Sequence, residues 1–158
     1  IKGAVDAVLE KDNIQVILVG QVLGDMEDKI SAYGKEIRTD IQAKDAPIKA
    51  DGKKLYRVLQ NLIDNALKYS LEGTRIWLTL RKESGYAVLT VRNTASYEMK
   101  FSADEITERF VRGDEARTSE GSGLGLSIAR SFTEACGGEF RVSIEGDVFS
   151  AEVKMPLN

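Results

Sequence analysis

The sequence contains no histidine among its 158 residues. This absence excludes histidine-based catalytic triads, histidine zinc sites and any phosphoacceptor histidine within the chain. There is one cysteine, Cys136, so no internal disulfide can form, and the composition fits a reducing compartment. Because Cys136 lies in an apolar helical context, we interpret it as a small core residue rather than a reactive thiol.

The sequence also lacks a long hydrophobic run and an excess of basic residues. The longest apolar run, at residues 14–20, is much shorter than the roughly 20 residues that span a bilayer, and no signal-peptide pattern opens the chain. The net charge of −3 gives no basic face for nucleic acid or a membrane surface. We therefore expect one globular domain with no nucleic-acid partner and no membrane contact.

Hydrophobic periodicity predicts three helices and six strands. The first helix covers about 18–33 and ends at Gly34. The second covers about 52–69 and has Asp51 as its N-cap. The third begins at 124 and is ended by Gly137 and Gly138. The strands are 35–41, 47–49, 75–81, 86–92, 139–144 and 148–155. Paired strands between helices favour an α+β two-layer sandwich, with a mixed sheet and the three helices on one face.

Two asparagines and a lysine interrupt the polar side of the 52–69 helix. Asn61, Asn65 and Lys68 share one face, opposite the apolar positions. Asparagine is a mediocre helix former, so two of them one turn apart suggest a task other than folding. Amide oxygens can ligate Mg²⁺, and a lysine can meet the phosphates that accompany it. A merely solvated polar face remains the alternative for this segment taken alone.

A second chemical signal is the glycine run at Gly121, Gly123 and Gly125, which opens the third predicted helix. Glycines let the backbone approach an anion, and the helix that follows offers free N–H groups to a phosphate. The preceding residues 93–122 are polar with isolated apolar positions. So long a segment of weak pattern is typical of a lid or binding loop.

Taken together, these motifs resemble the catalytic ATP-binding domain of bacterial sensor histidine kinases, over residues 16–156. That domain has the Bergerat ATPase fold. The asparagine helix matches the family's N-box, the Glu-Arg-Phe triplet at 108–110 matches its F-box, and the glycine run closes its ATP lid, here about 93–122. The resemblance implies a catalytic domain over 16–158, and residues 1–15 are then a linker or a remnant of an upstream dimerisation region.

The resemblance also implies roles for individual residues. Asn65 would ligate Mg²⁺ with help from Asn61, Lys68 would touch the phosphates, and Tyr69 would line the nucleotide pocket. Arg112 or Arg117 would neutralise charge during phosphoryl transfer. The β- and γ-phosphates would lie against the backbone of Gly121, Ser122, Gly123, Leu124, Gly125 and Leu126.

Two positions decide specificity and reaction type. Family members commonly carry an adenine-reading aspartate followed by glycines where this chain has Asn93-Thr-Ala-Ser, although the amide oxygen of Asn93 can still accept that hydrogen bond. Related ATPases of the gyrase, mismatch-repair and chaperone types carry a water-activating glutamate at position 61. Since Asn61 cannot act as a base, we expect slow hydrolysis and retention of the γ-phosphate for an acceptor.

The implied function is transfer of the γ-phosphoryl group of ATP, with Mg²⁺, to a histidine on a dimerisation domain outside this chain. A response regulator would act downstream. The isolated domain would be monomeric. Its parent would be a homodimer, a sensor of the inner or plasma membrane that has this domain in the cytoplasm. Two alternatives are an anti-sigma-type serine kinase, which shares the fold, and a non-catalytic nucleotide-binding or interaction module, which the degenerate first glycine box favours.

Overall fold

The structure, a computed structural model, describes residues 14–42, 46, 48–95 and 124–157, apart from the side chains of Ile14, Leu124 and Gly125. Within these residues the α+β class is confirmed, whereas the predicted number of elements is wrong: four helices and five strands form. The helices are α1 (Ile14–Asp25), α2 (Glu27–Tyr33), α3 (Gly52–Tyr69) and α4 (Leu124–Ala135). The strands are β1 (Glu36–Ile41), β2 (Arg75–Glu83), β3 (Tyr86–Thr94), β4 (Glu139–Glu145) and β5 (Val148–Pro156).

The predicted first helix is two helices with a bend at Met26. The backbone of Met26 (φ −99°, ψ 10°) leaves the helical region, and its side chain is buried. The bend therefore keeps Met26 in the core while α2, which has no buried residue, lies at the surface. Gly34 ends α2 as predicted: it adopts the left-handed φ of 68°, and its N–H donates to the carbonyl of Ser31 at 2.9 Å.

The five strands form one mixed sheet in the order β1-β2-β3-β5-β4. Strand β1 runs parallel to β2, and every other neighbouring pair is antiparallel. The predicted hairpin of β2 and β3 is confirmed, and it turns through Ser84 and Gly85, which both have positive φ. The strand predicted at 47–49 is wrong, because Ile48 makes only an isolated bridge to Leu157.

Burial alternates along β2 and β5, which indicates that the helices cover one face of the sheet. In β2, Ile76 and Leu78 are fully buried, whereas Trp77 between them is 41% exposed. In β3, Leu89 and Val91 lie on the buried face with the helices. The helices described here are all too short or too polar to cross a membrane.

Helix α3 lies at the centre of the helical layer and packs against α1, α4 and β3. The carboxylate of Asp51 caps it as predicted, accepting from the backbone N–H of Lys53 (2.9 Å) and of Lys54 (3.2 Å). These hydrogen bonds lower the pKa of Asp51. Its predicted apolar face is fully buried and consists of Leu55, Val58, Leu59, Leu62, Ile63, Ala66 and Leu67.

Helix α4 packs beside α3 and runs in the opposite direction. The ammonium of Lys54, in the first turn of α3, lies 5.5 Å from the ring centre of Phe132, near the end of α4. At a rise of about 1.5 Å per residue, Leu124 is about 12 Å back along α4, which is about eight residues beyond Lys54 along α3 and just past the middle of that helix. The N-terminus of α4 therefore lies about level with Asn61 along the axis of α3.

Gly137 and Gly138 end α4 as predicted. The N–H of Gly138 donates to the carbonyl of Thr133, and that of Gly137 donates to the carbonyl of Glu134, both at 2.9 Å. Gly137 has a left-handed φ of 85°. A Cβ on Gly138 would lie 2.4 Å from Sδ of Met155, so only glycine fits where α4 turns onto β4.

Candidate active site

Helix α3 carries Asn61, Asn65 and Lys68 on one partly buried face, here called the site face. Their spacing of four and three residues places them one above another, beside the apolar face that packs in the core. The amide nitrogen of Asn61 is buried, and it has no hydrogen-bond partner within the described part of the chain. The site face thus presents an amide that the fold itself does not use.

Asp64 joins the site face to helix α2. One of its carboxylate oxygens lies 3.3 Å from Nζ of Lys68, and the other lies 2.5 Å from Nζ of Lys29. The hydrogen bond to Asp64 raises the pKa of Lys29, against a smaller opposing effect of burial. Sequence reasoning missed both Asp64 and Lys29. Asp64 lies within the asparagine motif of α3. No local sequence pattern, however, could pair it with a lysine of another helix.

The C-terminal end of α3 is fixed to the end of β3. Ser70 forms a bridge to Ala95, and the N–H of Leu71 donates to the carbonyl of Thr94 at 2.8 Å. Nζ of Lys35 donates to the carbonyl of Ser70 at 2.7 Å, which neutralises the negative end of the α3 dipole. These bonds hold the C-terminal end of α3 against the end of β3, next to Asn93.

Asn93 lies within β3, on the face that the helices cover. The predicted weakly patterned segment began at this residue, but the strand continues to Thr94, where Thr94 pairs with Val148. Asn93 is 3% exposed, and its amide nitrogen is buried without a partner in the part of the chain described. The hydroxyl of Ser70 is likewise buried and unpartnered. Two unused polar groups therefore lie where α3 meets β3.

Leu124, Gly125 and Leu126 form the first turn of α4, whose backbone N–H groups have no partner within the helix. This turn lies about level with Asn61 along the axis of the neighbouring α3. Tyr69 is the last residue of α3 and is partly buried. Other predicted residues lie outside the described part: Arg112, Arg117, Gly121, Ser122, Gly123 and the triplet at 108–110.

The donor groups of the site face fit a magnesium ion that is held jointly with phosphate oxygens. Asn61 and Asn65 offer neutral amide oxygens, and the Asn61 nitrogen has no partner among the described residues. Mg²⁺ prefers hard oxygen ligands and keeps part of its coordination for phosphates and water. The described residues contain no cluster of three or more acidic, cysteine or histidine side chains that would hold a metal alone.

The chain is similar to known proteins over most of its length. Residues 50–158 match the family described as "Histidine kinase-, DNA gyrase B-, and HSP90-like ATPase". The chain is 34% identical over 113 residues to the probable sensor protein PcoS of Escherichia coli, covering 70% of the chain and 24% of that protein. It is 30% identical over 146 residues to the sensor histidine kinase WalK of Bacillus subtilis, covering 89% of the chain and 24% of that protein. The chain thus spans about a quarter of the length of these relatives.

Solved structures show the same fold. The nucleotide-free catalytic domain of the histidine kinase ThkA superposes with a TM-score of 0.75 at 23% identity, covering 89% of this chain and 90% of that one. ThkA has also been solved in complex with the response regulator protein TrrA, with a TM-score of 0.70, 22% identity, and coverage of 89% of this chain and 40% of that one. The chain belongs to the family of histidine kinase-, DNA gyrase B- and HSP90-like ATPases and is the catalytic ATP-binding domain of a sensor histidine kinase.

Proposed function

We propose that this domain binds Mg·ATP against the site face and donates its γ-phosphoryl group to a histidine on a separate dimerisation domain, in two-component signal transduction. One observation carries the proposal. Two amide side chains and a lysine lie on one face of α3, whose middle is level with the N-terminus of α4 and whose C-terminal end is bonded to the end of β3 that carries Asn93.

The phosphate half of the site works by charge. Lys68 supplies an ammonium, and the first turn of α4 supplies backbone N–H groups and the positive end of a helix dipole. Asn65, with Asn61 beside it, would hold Mg²⁺, which when bound neutralises charge on the phosphate oxygens. Phosphoryl transfer depends mainly on positioning and on charge neutralisation, and these groups supply both.

The base half of the site is the region around Asn93. This asparagine is buried within a strand, so its orientation is fixed, yet its amide nitrogen is unused by the fold. An amide both donates and accepts, so Asn93 can accept from the amino group of adenine. Tyr69, at the end of α3, would line the same pocket.

The identity of residue 61 argues for transfer to an acceptor rather than to water. An asparagine at this position cannot take a proton from water. Asp64 is the acidic group next to it, and both carboxylate oxygens of Asp64 are engaged by lysines. We therefore expect slow hydrolysis, and since the chain has no histidine, the acceptor is on another domain.

The partners follow from this reaction. ThkA was solved with a response regulator, and we propose that a response regulator likewise receives the phosphoryl group downstream of this domain. We propose that the isolated domain is a monomer, and that it acts in the cytoplasm as part of a homodimeric parent that is a sensor of the inner or plasma membrane. Arg112 or Arg117 would complete the charge neutralisation around the leaving phosphoryl group.

The chemical stability of the transferred phosphate tests the reaction. The chain, γ-labelled ATP and a purified histidine-containing dimerisation domain should give label on that domain, and the label should be lost in acid and retained in alkali, as for phosphohistidine. The same domain with its histidine replaced by glutamine is the matched control and should stay unlabelled. Acid-stable label on a serine would instead identify a serine kinase, and no nucleotide binding at millimolar ATP would identify an interaction module.

A further inference from the structure

A carboxylate lies inside the proposed phosphate site. Asp64 is on α3 between Asn61 and Asn65, and its side chain is 26% exposed. An unpaired carboxylate at this position would repel the triphosphate that the site face is proposed to bind. Binding of ATP there requires that the charge of Asp64 be neutralised.

Two ammonium groups share that charge. Nζ of Lys68 lies 3.3 Å from one oxygen of Asp64, and Nζ of Lys29 lies 2.5 Å from the other. Lys68 is the lysine that the proposed function assigns to the phosphates. When Lys68 turns to a phosphate it leaves Asp64, and Lys29 is then the cation that stays in place. Lys29 belongs to α2, outside the segment 50–158 that matches the family.

We propose that Lys29 is a positioning residue for ATP binding: it keeps Asp64 neutralised, so that Lys68 is free to move to the triphosphate. The inference rests on the proposed function. Lys29 does not itself reach the nucleotide, because it lies beyond Asp64 on a neighbouring helix. Its effect on affinity is therefore electrostatic and acts through Asp64.

If Lys29 has this role, the charges that remain beside the site determine the order of ATP affinities among the wild type, two single variants and the double variant. In Lys29→Met, the Asp64 carboxylate has no cation beside it once Lys68 turns to the phosphates. ATP should therefore bind roughly five-fold more weakly than to the wild type. Asp64→Asn removes the repulsive carboxylate and releases Lys68, so ATP should bind more tightly, by roughly two- to five-fold. The double variant removes one charge of each sign, and its affinity should return to within about two-fold of the wild type.

If the contact between Lys29 and Asp64 only held α2 against α3, the ATP affinities of the variants would follow a different order. Either single substitution breaks the ion pair, so a purely structural role predicts that Asp64→Asn weakens binding as much as Lys29→Met does. Lys29→Arg should preserve wild-type affinity, because arginine keeps the charge and can pair with a carboxylate. Lys49→Met is the matched control, because it removes the same charge from an exposed position near the far end of α3.

The test is calorimetric titration of each protein with ATP in excess Mg²⁺, with the melting temperature measured to confirm that each variant is folded. Dissociation constants that decrease from Lys29→Met, through the wild type and the double variant, to Asp64→Asn are expected. Equal weakening by both single variants, or equal constants throughout, would overturn the role of Lys29 while leaving the proposed function intact. No ATP binding by the wild type would overturn the proposed function, and this inference with it.

Discussion

At the scale of single residues, Asn93 is where the chemistry of this site departs most from the resemblance. The fold buries it to 3% exposure, and no described group pairs with its amide nitrogen. A buried amide donor without a partner costs about 1–3 kcal/mol, so a ligand that satisfies it gains correspondingly. Asn93 lies within β3, where it pairs with Phe149, and so belongs to a strand and not to a turn.

Asn93→Asp should change which nucleotide binds. An aspartate can only accept hydrogen bonds, so it should favour the amino group of adenine and repel the carbonyl of guanine, whereas asparagine tolerates both. We expect several-fold tighter ATP binding, because a charged acceptor adds about 1 kcal/mol, together with weaker GTP binding. Calorimetric titration of both proteins with both nucleotides measures this, and unchanged affinities would show that residue 93 does not contact the base.

At the scale of elements, one polar pair supplements the apolar packing of α1 against α3. The hydroxyl of Tyr56, on α3, donates to the carboxylate of Asp25, the last residue of α1. This bond raises the pKa of Tyr56 to about 12, with smaller contributions from burial and from the charge of Asp25. The pair links the two helices at the surface, beyond the end of their shared apolar contact.

Stability should therefore fall in alkali through this pair. The pKa of Tyr56 is raised on folding, so its contribution is complete below about pH 10 and is lost as the pH approaches about 12. Solvent screens the pair, so we expect the wild type to exceed Tyr56→Phe by at most about 1 kcal/mol at pH 8, and by nothing near pH 12.

Urea unfolding of the wild type and of Tyr56→Phe at several pH values measures this difference in the free energy of unfolding. The lysines that titrate in the same range affect both proteins equally, so their contribution cancels. In an Asp25→Asn background, the tyrosine substitution should have no pH-dependent effect. A wild-type advantage that persists to pH 12 would show that Tyr56 contributes by packing and not through its hydroxyl.

Elements with strong local signals were predicted well from the sequence. The buried face and N-cap of α3 follow from its periodicity and from Asp51, and the ends of α2 and α4 follow from glycines that adopt positive φ. The bend at Met26 carries no sequence signal of its own, because the apolar spacing continues through it. The failure at 47–49 has a similar cause, since Ile48 is buried by tertiary contacts without forming a strand.

At the scale of the whole molecule, the site results from contacts between residues far apart in sequence. The strand order, with β1 parallel to β2 at one edge, could not be predicted from local pattern. The pairing of Lys29 with Asp64 has the same origin. The site face itself could be predicted, because asparagines inside a helix are conspicuous without any knowledge of the fold. The remaining site residues, at 96–123, lie outside the described part of the chain.

The dependence of thermal stability on Mg²⁺ and ATP together tests the central claim most directly. Ligand at one hundred times its dissociation constant should stabilise the fold by about 2.7 kcal/mol, which raises the melting temperature. We predict that ATP with Mg²⁺ gives this shift in the wild type. Asn65→Ala should lose most of the part of the shift that depends on Mg²⁺. Gln60→Ala, which removes an amide elsewhere on α3, should keep that part. A wild-type shift that is the same with and without Mg²⁺ would contradict the account, because the site face would then hold no metal with the nucleotide.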